Sequence, residues 1–365
     1  MKTYKLLTPG PLTTTDSVKK EMLFDHCTWD DDYKQITQKI RRELLELAHV
    51  NETEYTTVLM QGSGTFGVES VISSTIPEDG CLLLLSNGAY GERIAKMCEY
   101  HRIPCIHIMQ DYDKIPDKNE AEKALKEHPE ITHIAMIHSE TTTGILNDIK
   151  SIGELADKYH KTFIVDAMSS FGAIDIPVKE WHIDYIISSA NKCIQGVPGF
   201  SFIIANRKKL SDSKGTARSL SLDLYDQWAG MEKDGKWRYT SPTHVVLAFA
   251  KAMEELKEEG GIIARGKRYT HNKDVLIKEF GKLGFKAYVD SSVQGPIITT
   301  FLYPNDKFDF ADMYSYIKER GYAIYPGKVT DADTFRIGNI GEIYPEDMEK
   351  LAQIIRGFLN TKKEA

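Results

Sequence analysis

DYIISSANKCIQGVPGF, residues 184–200, runs from a short apolar segment (Tyr185–Ile187) into small polar residues, presents a single lysine, Lys192, and breaks into a Gly/Pro-rich turn. A lysine set just past a buried strand, between Asn191 and Cys193, is poorly placed for solvation. Withdrawal from water weakens its preference for the charged form, so its amine becomes a better nucleophile and base. A Schiff-base lysine needs that property. Another strand-like run, Thr162–Val165, delivers Asp166 ahead of AMSSFG, 26 residues before Lys192. An aspartate and a lysine at two strand ends make the pair that a pyridoxal phosphate enzyme uses. The lysine holds the aldehyde carbon and the aspartate keeps the pyridine nitrogen protonated. The plain alternative is a surface lysine and a helix-capping aspartate.

Outward from this pair, the chain alternates apolar runs with amphipathic stretches. TVLM (57–60), CLLLLS (81–86), CIHIM (105–109), HIAMIH (133–138), TFIVD (162–166), YIIS (185–188) and FSFIIA (200–205) predict seven strands. Helical spacing lies between most of them, near 91–102, 118–127 and 151–160, and precedes them near 16–24 and 33–48. The pattern predicts an α/β fold with a mostly parallel, helix-covered sheet. Ligands of such sheets bind beyond the carboxyl ends of the strands. Residues 1–15, with Pro9 and Pro11 flanking Gly10, read as an extended segment, and 16–260 as the large domain. Within it, 211–242 reads as irregular and polar, followed by a helix near 243–259. After Gly260-Gly261 the segment 261–365 reads as a smaller α/β domain. Its predicted elements are helices near 262–282, 308–319 and 345–359 and strands near 285–289, 296–302 and 322–325.

Composition narrows the function classes. A net charge of −7, with no basic run longer than Arg207-Lys208-Lys209, gives no footprint for nucleic acid. No apolar stretch approaches the roughly 20 residues that span a bilayer, and MKTYKLLTPGP has no signal-peptide pattern. The five cysteines contain no C-x-x-C, which argues against a disulfide framework or metal site and for a reducing cytoplasm.

Further motifs sit at other strand ends. QGSGTFG (61–67) opens a helix whose N-terminal N–H groups, reachable past glycine, suit a phosphate; the alternative is a packing turn. SNGAYGER (86–93) places Tyr90 where it can stack on a flat ring or simply pack. HSETTTG (138–144) offers His138 and threonine hydroxyls for a phenolic oxygen, or an ordinary hydroxyl-capped turn. KWRYTSPTH (236–244) and FRIGNIGE (335–342) carry Thr240 and Arg336. A lone arginine is commonly a solvated surface residue, yet its fork also reads a carboxylate or phosphonate bidentately.

Taken in order with TPGP (8–11), these segments resemble the 2-aminoethylphosphonate–pyruvate aminotransferases, within the fold-type I pyridoxal phosphate enzymes. LLTPGPLTTT, CTWDDDY and DLYDQW point to the phosphonate enzyme rather than its relatives, and the likeness covers essentially the whole chain. The resemblance implies that Lys192 carries the cofactor and Asp166 pairs with its ring nitrogen. Ser63, Gly64 and Thr65 would cradle the phosphate, Tyr90 lie against the ring and Thr141 stand near its phenolic oxygen. Thr240 would act across a homodimer interface, and Arg336 and Gly10 would bind the substrate. The implied reaction moves an amino group from 2-aminoethylphosphonate to pyruvate. Alanine–glyoxylate or serine–pyruvate transamination is the alternative on the same residues, and a non-catalytic cofactor-binding protein is the alternative from another class.

Overall fold

The computed structural model describes residues 4–327, 329 and 332–363. Its main sheet has seven strands in the order Tyr55–Gln61, Phe200–Asn206, Tyr185–Ser189, Thr162–Asp166, Ile131–Ile137, Cys81–Ser86, Cys105–Met109. Phe200–Asn206 runs antiparallel to both of its neighbours, and the remaining pairs are parallel. The seven strands match those expected from the apolar runs. Helices cover both faces of a parallel sheet, so its inner strands are apolar throughout rather than alternating; Leu82, Leu83, Leu84 and Leu85 are all buried. The edge strand Cys105–Met109 is only partly covered.

Parallel pairing brings several carboxyl ends to one edge. Ile137 pairs with Asp166 and Asp166 with Ile187, so the turns holding HSETTTG, AMSSFG and Lys192 emerge side by side. The helix Gly64–Thr75 crosses above them. It lies so close to the sheet that a Cβ on Gly67 would stand 2.5 Å from Ser201 Oγ.

Three local expectations need correction. Residues 211–242 are not wholly irregular, because they contain the helix Leu224–Asp234 and the end of Arg207–Asp212. Asp223 caps the former by accepting from Asp226 N–H, and left-handed Gly235 ends it. Its buried face is Leu224, Gln227 and Met231, and one polar member, whose amide donates to the Leu59 carbonyl, hid the periodicity. The strand expected near 285–289 is a single rung, Ala287 opposite Phe301. Phe285 instead serves the apolar cluster around Phe280, Phe301 and Phe335.

That cluster is separate from the large one beneath the main sheet. It backs a three-stranded sheet of Ile298–Leu302, Thr334–Gly338 and Tyr325–Pro326. The region expected as one strand near 322–325 is split, for Tyr322–Ala323 pairs with the N-terminal Lys5–Leu6. The N-terminal segment thereby becomes a strap: it pairs at Lys5–Leu6, accepts from Gly338 N–H at the Leu7 carbonyl, and continues toward Lys192.

Candidate active site

Lys192 lies three residues beyond the Tyr185–Ser189 strand and is half-buried. Its Nζ donates to the Pro9 carbonyl at 2.8 Å. Gly10, at φ +124°, lets the strap come this close: a Cβ there would stand 2.7 Å from Lys192 Cδ and 2.8 Å from Nζ. The adjoining Cys193 does not compete as a nucleophile. Its buried thiol is pushed up to about 12 by desolvation and donates to the Ser169 carbonyl.

Asp166 ends its strand with 8% of its surface exposed, and Oδ1 accepts from Met168 N–H at 2.8 Å. Desolvation raises its pKa to about 6, against the lowering pull of that bond and of the positive charges on Lys192 and Arg93. A buried carboxylate held this short of counter-charge favours a cation beside it.

Ser63, extended at φ −73° and ψ 170°, leads into the helix Gly64–Thr75. The first N–H groups of any helix lack intrahelical acceptors, and the N-terminal end of the dipole favours an anion. A Cβ on Gly64 would meet the Met168 thioether, so any larger residue there would have to push that side chain aside. Ser63, Gly64, Thr65, Tyr90, Asp166, Lys192 and Gly10 all line one cavity of about 200 Å³. An amine, a buried carboxylate and helix N–H groups around one space fit the aldehyde, ring nitrogen and phosphate of pyridoxal phosphate.

Arg336 and Thr141 do not line that cavity but adjoin its wall. Arg336 is 3% exposed, so it is not a solvated surface residue. Its Nε donates to the Pro326 carbonyl at 3.0 Å and its Nη1 to the Thr141 carbonyl at 2.8 Å. Burial lowers its pKa, while a hydrogen bond with Tyr90 and the charges of Tyr90, Tyr325 and Glu140 act in the opposite direction. Thr240 is exposed and lies outside the cavity.

The HSETTTG turn ties these parts together. His138 N–H donates to the Asp166 carbonyl, and the Thr141 carbonyl receives Arg336. Thr142 Oγ1 donates to Glu140 at 2.6 Å and accepts from Ala89 N–H at 3.1 Å, capping the helix Ala89–His101 that carries Tyr90. Gly88, the N-cap of that helix, has no side chain to do so, and a Cβ there would stand 2.5 Å from Glu140 Cδ. Glu140 is fully buried and its pKa is raised by desolvation. Burial likewise pushes the His138 ring down to about 3, so it is neutral and shares a hydrogen bond with Ser170 Oγ rather than offering a proton.

Residues not singled out from sequence also line the cavity, among them Arg93, Met168 and Asn191. Arg93 was discernible in principle, since it stands one helical turn beyond Tyr90 and so shares its face. Met168 gave no such signal, because its place depends on a turn that only the fold brings under Gly64.

Known proteins share this architecture and, in some cases, much of this sequence. A 2-aminoethylphosphonate–pyruvate transaminase of Lysinibacillus sphaericus is 57% identical over 362 residues, covering 99% of both chains. A bifunctional phosphonoacetaldehyde hydrolase/aminoethylphosphonate transaminase of Clostridioides difficile is 55% identical over 359 residues, 98% of this chain and 56% of that longer protein. Among solved structures, a pyridoxamine–pyruvate aminotransferase of Mesorhizobium loti superposes with a TM-score of 0.90 at 21% identity, covering 99% of this chain and 93% of that one. The fold is therefore the fold-type I aminotransferase architecture expected from the sequence. The family model for aminotransferase class-V matches residues 26–337, and the chain belongs to the class-V aminotransferases.

Proposed function

We propose that this chain is a pyridoxal-phosphate-dependent transaminase that converts 2-aminoethylphosphonate and pyruvate into phosphonoacetaldehyde and L-alanine. The observation that carries this reading is the meeting of Lys192, Asp166 and the Ser63–Thr65 backbone around one cavity. It occurs in a chain 57% identical, end to end, to a transaminase of that name. When bound, pyridoxal phosphate supplies an aldehyde that exchanges amines and a ring that accepts electron density.

The protein's own groups then have distinct tasks. With pyridoxal phosphate bound, Lys192 Nζ would hold its aldehyde carbon and would move the proton at the substrate carbon bearing nitrogen. Asp166, buried and ionised beside a cation, would keep the ring nitrogen protonated. Ser63 and the backbone N–H groups of Gly64 and Thr65 would receive the phosphate, Tyr90 would lie against the ring, and Thr141 would stand near its phenolic oxygen. Arg336 takes the phosphonate of one substrate and the carboxylate of the other, and Gly10 leaves room for both beside Lys192. Thr240, exposed in one chain, completes the phosphate site of a second copy in a homodimer. No helix among the described residues is long and apolar enough to cross a membrane. The free cysteines support a reducing, cytoplasmic setting.

The test is the absorbance spectrum of purified protein loaded with pyridoxal phosphate. 2-Aminoethylphosphonate should discharge the visible band and pyruvate should restore it, with L-alanine formed in equal amount. Discharge by alanine or serine with glyoxylate, but not by the phosphonate, would refute the substrate assignment.

A further inference from the structure

Arg93 lines the cavity with no carboxylate hydrogen-bond partner among the described residues. It projects from the first turns of the helix Ala89–His101 into the wall of the cavity. Its Nη1 donates to Thr65 Oγ1 at 3.0 Å, and its guanidinium carbon lies 4.9 Å from the centre of the Tyr90 ring. That single hydrogen bond leaves its Nε and Nη2 donors uncommitted among the described residues. Arg336 differs, since carbonyl oxygens already occupy two of its nitrogens. Arg93 therefore presents a full charge and free donors at the helix N-terminus where Gly64 and Thr65 offer N–H groups.

A phosphate monoester carries about two negative charges near neutral pH. Backbone donors and a partial helix charge of about half a unit leave most of that charge unbalanced. We infer that Arg93 is the cation of the phosphate cradle, binding the phosphoryl oxygens of pyridoxal phosphate through Nε and Nη2 while Nη1 fixes Thr65. This rests on the cofactor assignment above. The bond to Thr65 Oγ1 locks the guanidinium against rotation, and Tyr90 supports its face, so the fork is oriented before the phosphate arrives. Lysine cannot reproduce that arrangement, because it offers a point charge without the planar fork.

The experiment titrates apoenzyme with pyridoxal phosphate and, separately, with pyridoxal, following absorbance at each addition. Arg93→Ala and Arg93→Lys are compared with wild type, and Arg93→Gln serves as a variant that keeps an amide donor on a shorter stem without the charge. Losing a charge-assisted bond should weaken pyridoxal phosphate binding about 10- to 100-fold in the alanine and glutamine variants and less in the lysine variant. Affinity for pyridoxal, which has no phosphate, should stay within about twofold. Equal losses for both compounds would mean that Arg93 merely supports Tyr90, and would overturn the inference. So would unchanged affinity for both. Normal cofactor affinity combined with a raised half-saturating concentration of 2-aminoethylphosphonate would put Arg93 on the substrate phosphonate instead, again overturning it. Failure of wild type itself to bind pyridoxal phosphate would reject the cofactor assignment, a result separate from all of these.

Discussion

Asp166 is a cavity residue whose chemistry the fold alters. Its folded pKa of about 6 stands above the ordinary aspartate value of 3.8, so folding favours the protonated acid. Well below pH 3.8 the group is neutral in both states and costs nothing; the destabilisation of the cofactor-free protein grows as pH rises from about 4 to 6 and is fully developed above that. The shift corresponds to about 3 kcal/mol at pH 8, roughly half of it already present at pH 5. Asp166→Asn should therefore make apoenzyme more stable than wild type at pH 8, with the gap shrinking toward pH 5. The same variant should lose most of its transamination rate, because an amide cannot hold the ring nitrogen protonated. Urea unfolding at the two pH values and single-turnover spectra measure the pair of effects; a stability gap that widens on acidification would refute the electrostatic account. Arg336 gives a second test at this scale. Arg336→Ala should lower kcat/KM for both half-reactions about 30-fold to several thousand-fold, and Arg336→Lys should recover only part. If Arg336 only braced the three-stranded sheet, thermal stability would fall while selectivity for the phosphonate over a neutral alkylamine survived.

Among elements, the parallel strands were the most legible in the sequence, because each is a continuous apolar run with a turn residue at its end. The helix Leu224–Asp234 was obscured by Gln227, a polar residue on the buried face whose partner, the Leu59 carbonyl, is distant in the chain. The rung at Ala287 failed as a strand for the converse reason: an apolar pattern there served an aromatic cluster rather than a ladder. The HSETTTG turn was legible as polar and hydroxyl-rich, but its task was not. Its Thr142 caps a helix that begins some fifty residues earlier, through the bond from Ala89 N–H to Thr142 Oγ1. Thr142→Val keeps the shape and removes that cap together with the donor to Glu140. The expected loss is about 1–3 kcal/mol of stability, accompanied by a raised KM for 2-aminoethylphosphonate as Tyr90 loses its fixed position. Denaturant unfolding and steady-state kinetics measure both. A stability loss without any change in KM would show that the cap does not extend to the site.

At the scale of the whole molecule, the site depends on segments that approach from opposite ends of the sequence, and this was the part that pattern alone could not supply. Lys192, Asp166 and Gly64 follow from strand ends of one sheet, whereas Gly10 comes to the cavity, and Arg336 to its wall, only through tertiary pairing. The N-terminal strap makes that connection. Lys5 pairs with Asp347 at 2.7 Å, Lys5–Leu6 forms a parallel ladder with Tyr322–Ala323, and Pro9 accepts from Lys192. The strand bearing Arg336 packs on the same strap, since Gly338 N–H donates to the Leu7 carbonyl at 2.9 Å. One short segment thus sets the spacing between the amine and the arginine. Gly10→Ala tests this arrangement at its tightest point. Alanine strongly disfavours φ +124°, and its methyl group would meet the Asn191 carbonyl oxygen as well as the Lys192 side chain. Backbone strain of about 1–3 kcal/mol is expected, but the strap can relieve it only by lifting away from Lys192 and breaking the Pro9 bond. The variant should fold, since the Lys5 and Leu7 contacts lie outside the disturbed turn. It should incorporate less cofactor and show a larger fall in kcat than Lys5→Ala, which loosens the far end of the strap alone. Cofactor stoichiometry, melting temperature and kcat for the two variants separate the effects. If Gly10→Ala lowered stability yet retained full cofactor loading and normal kcat, the strap would be a structural tie with no hold on the reacting amine.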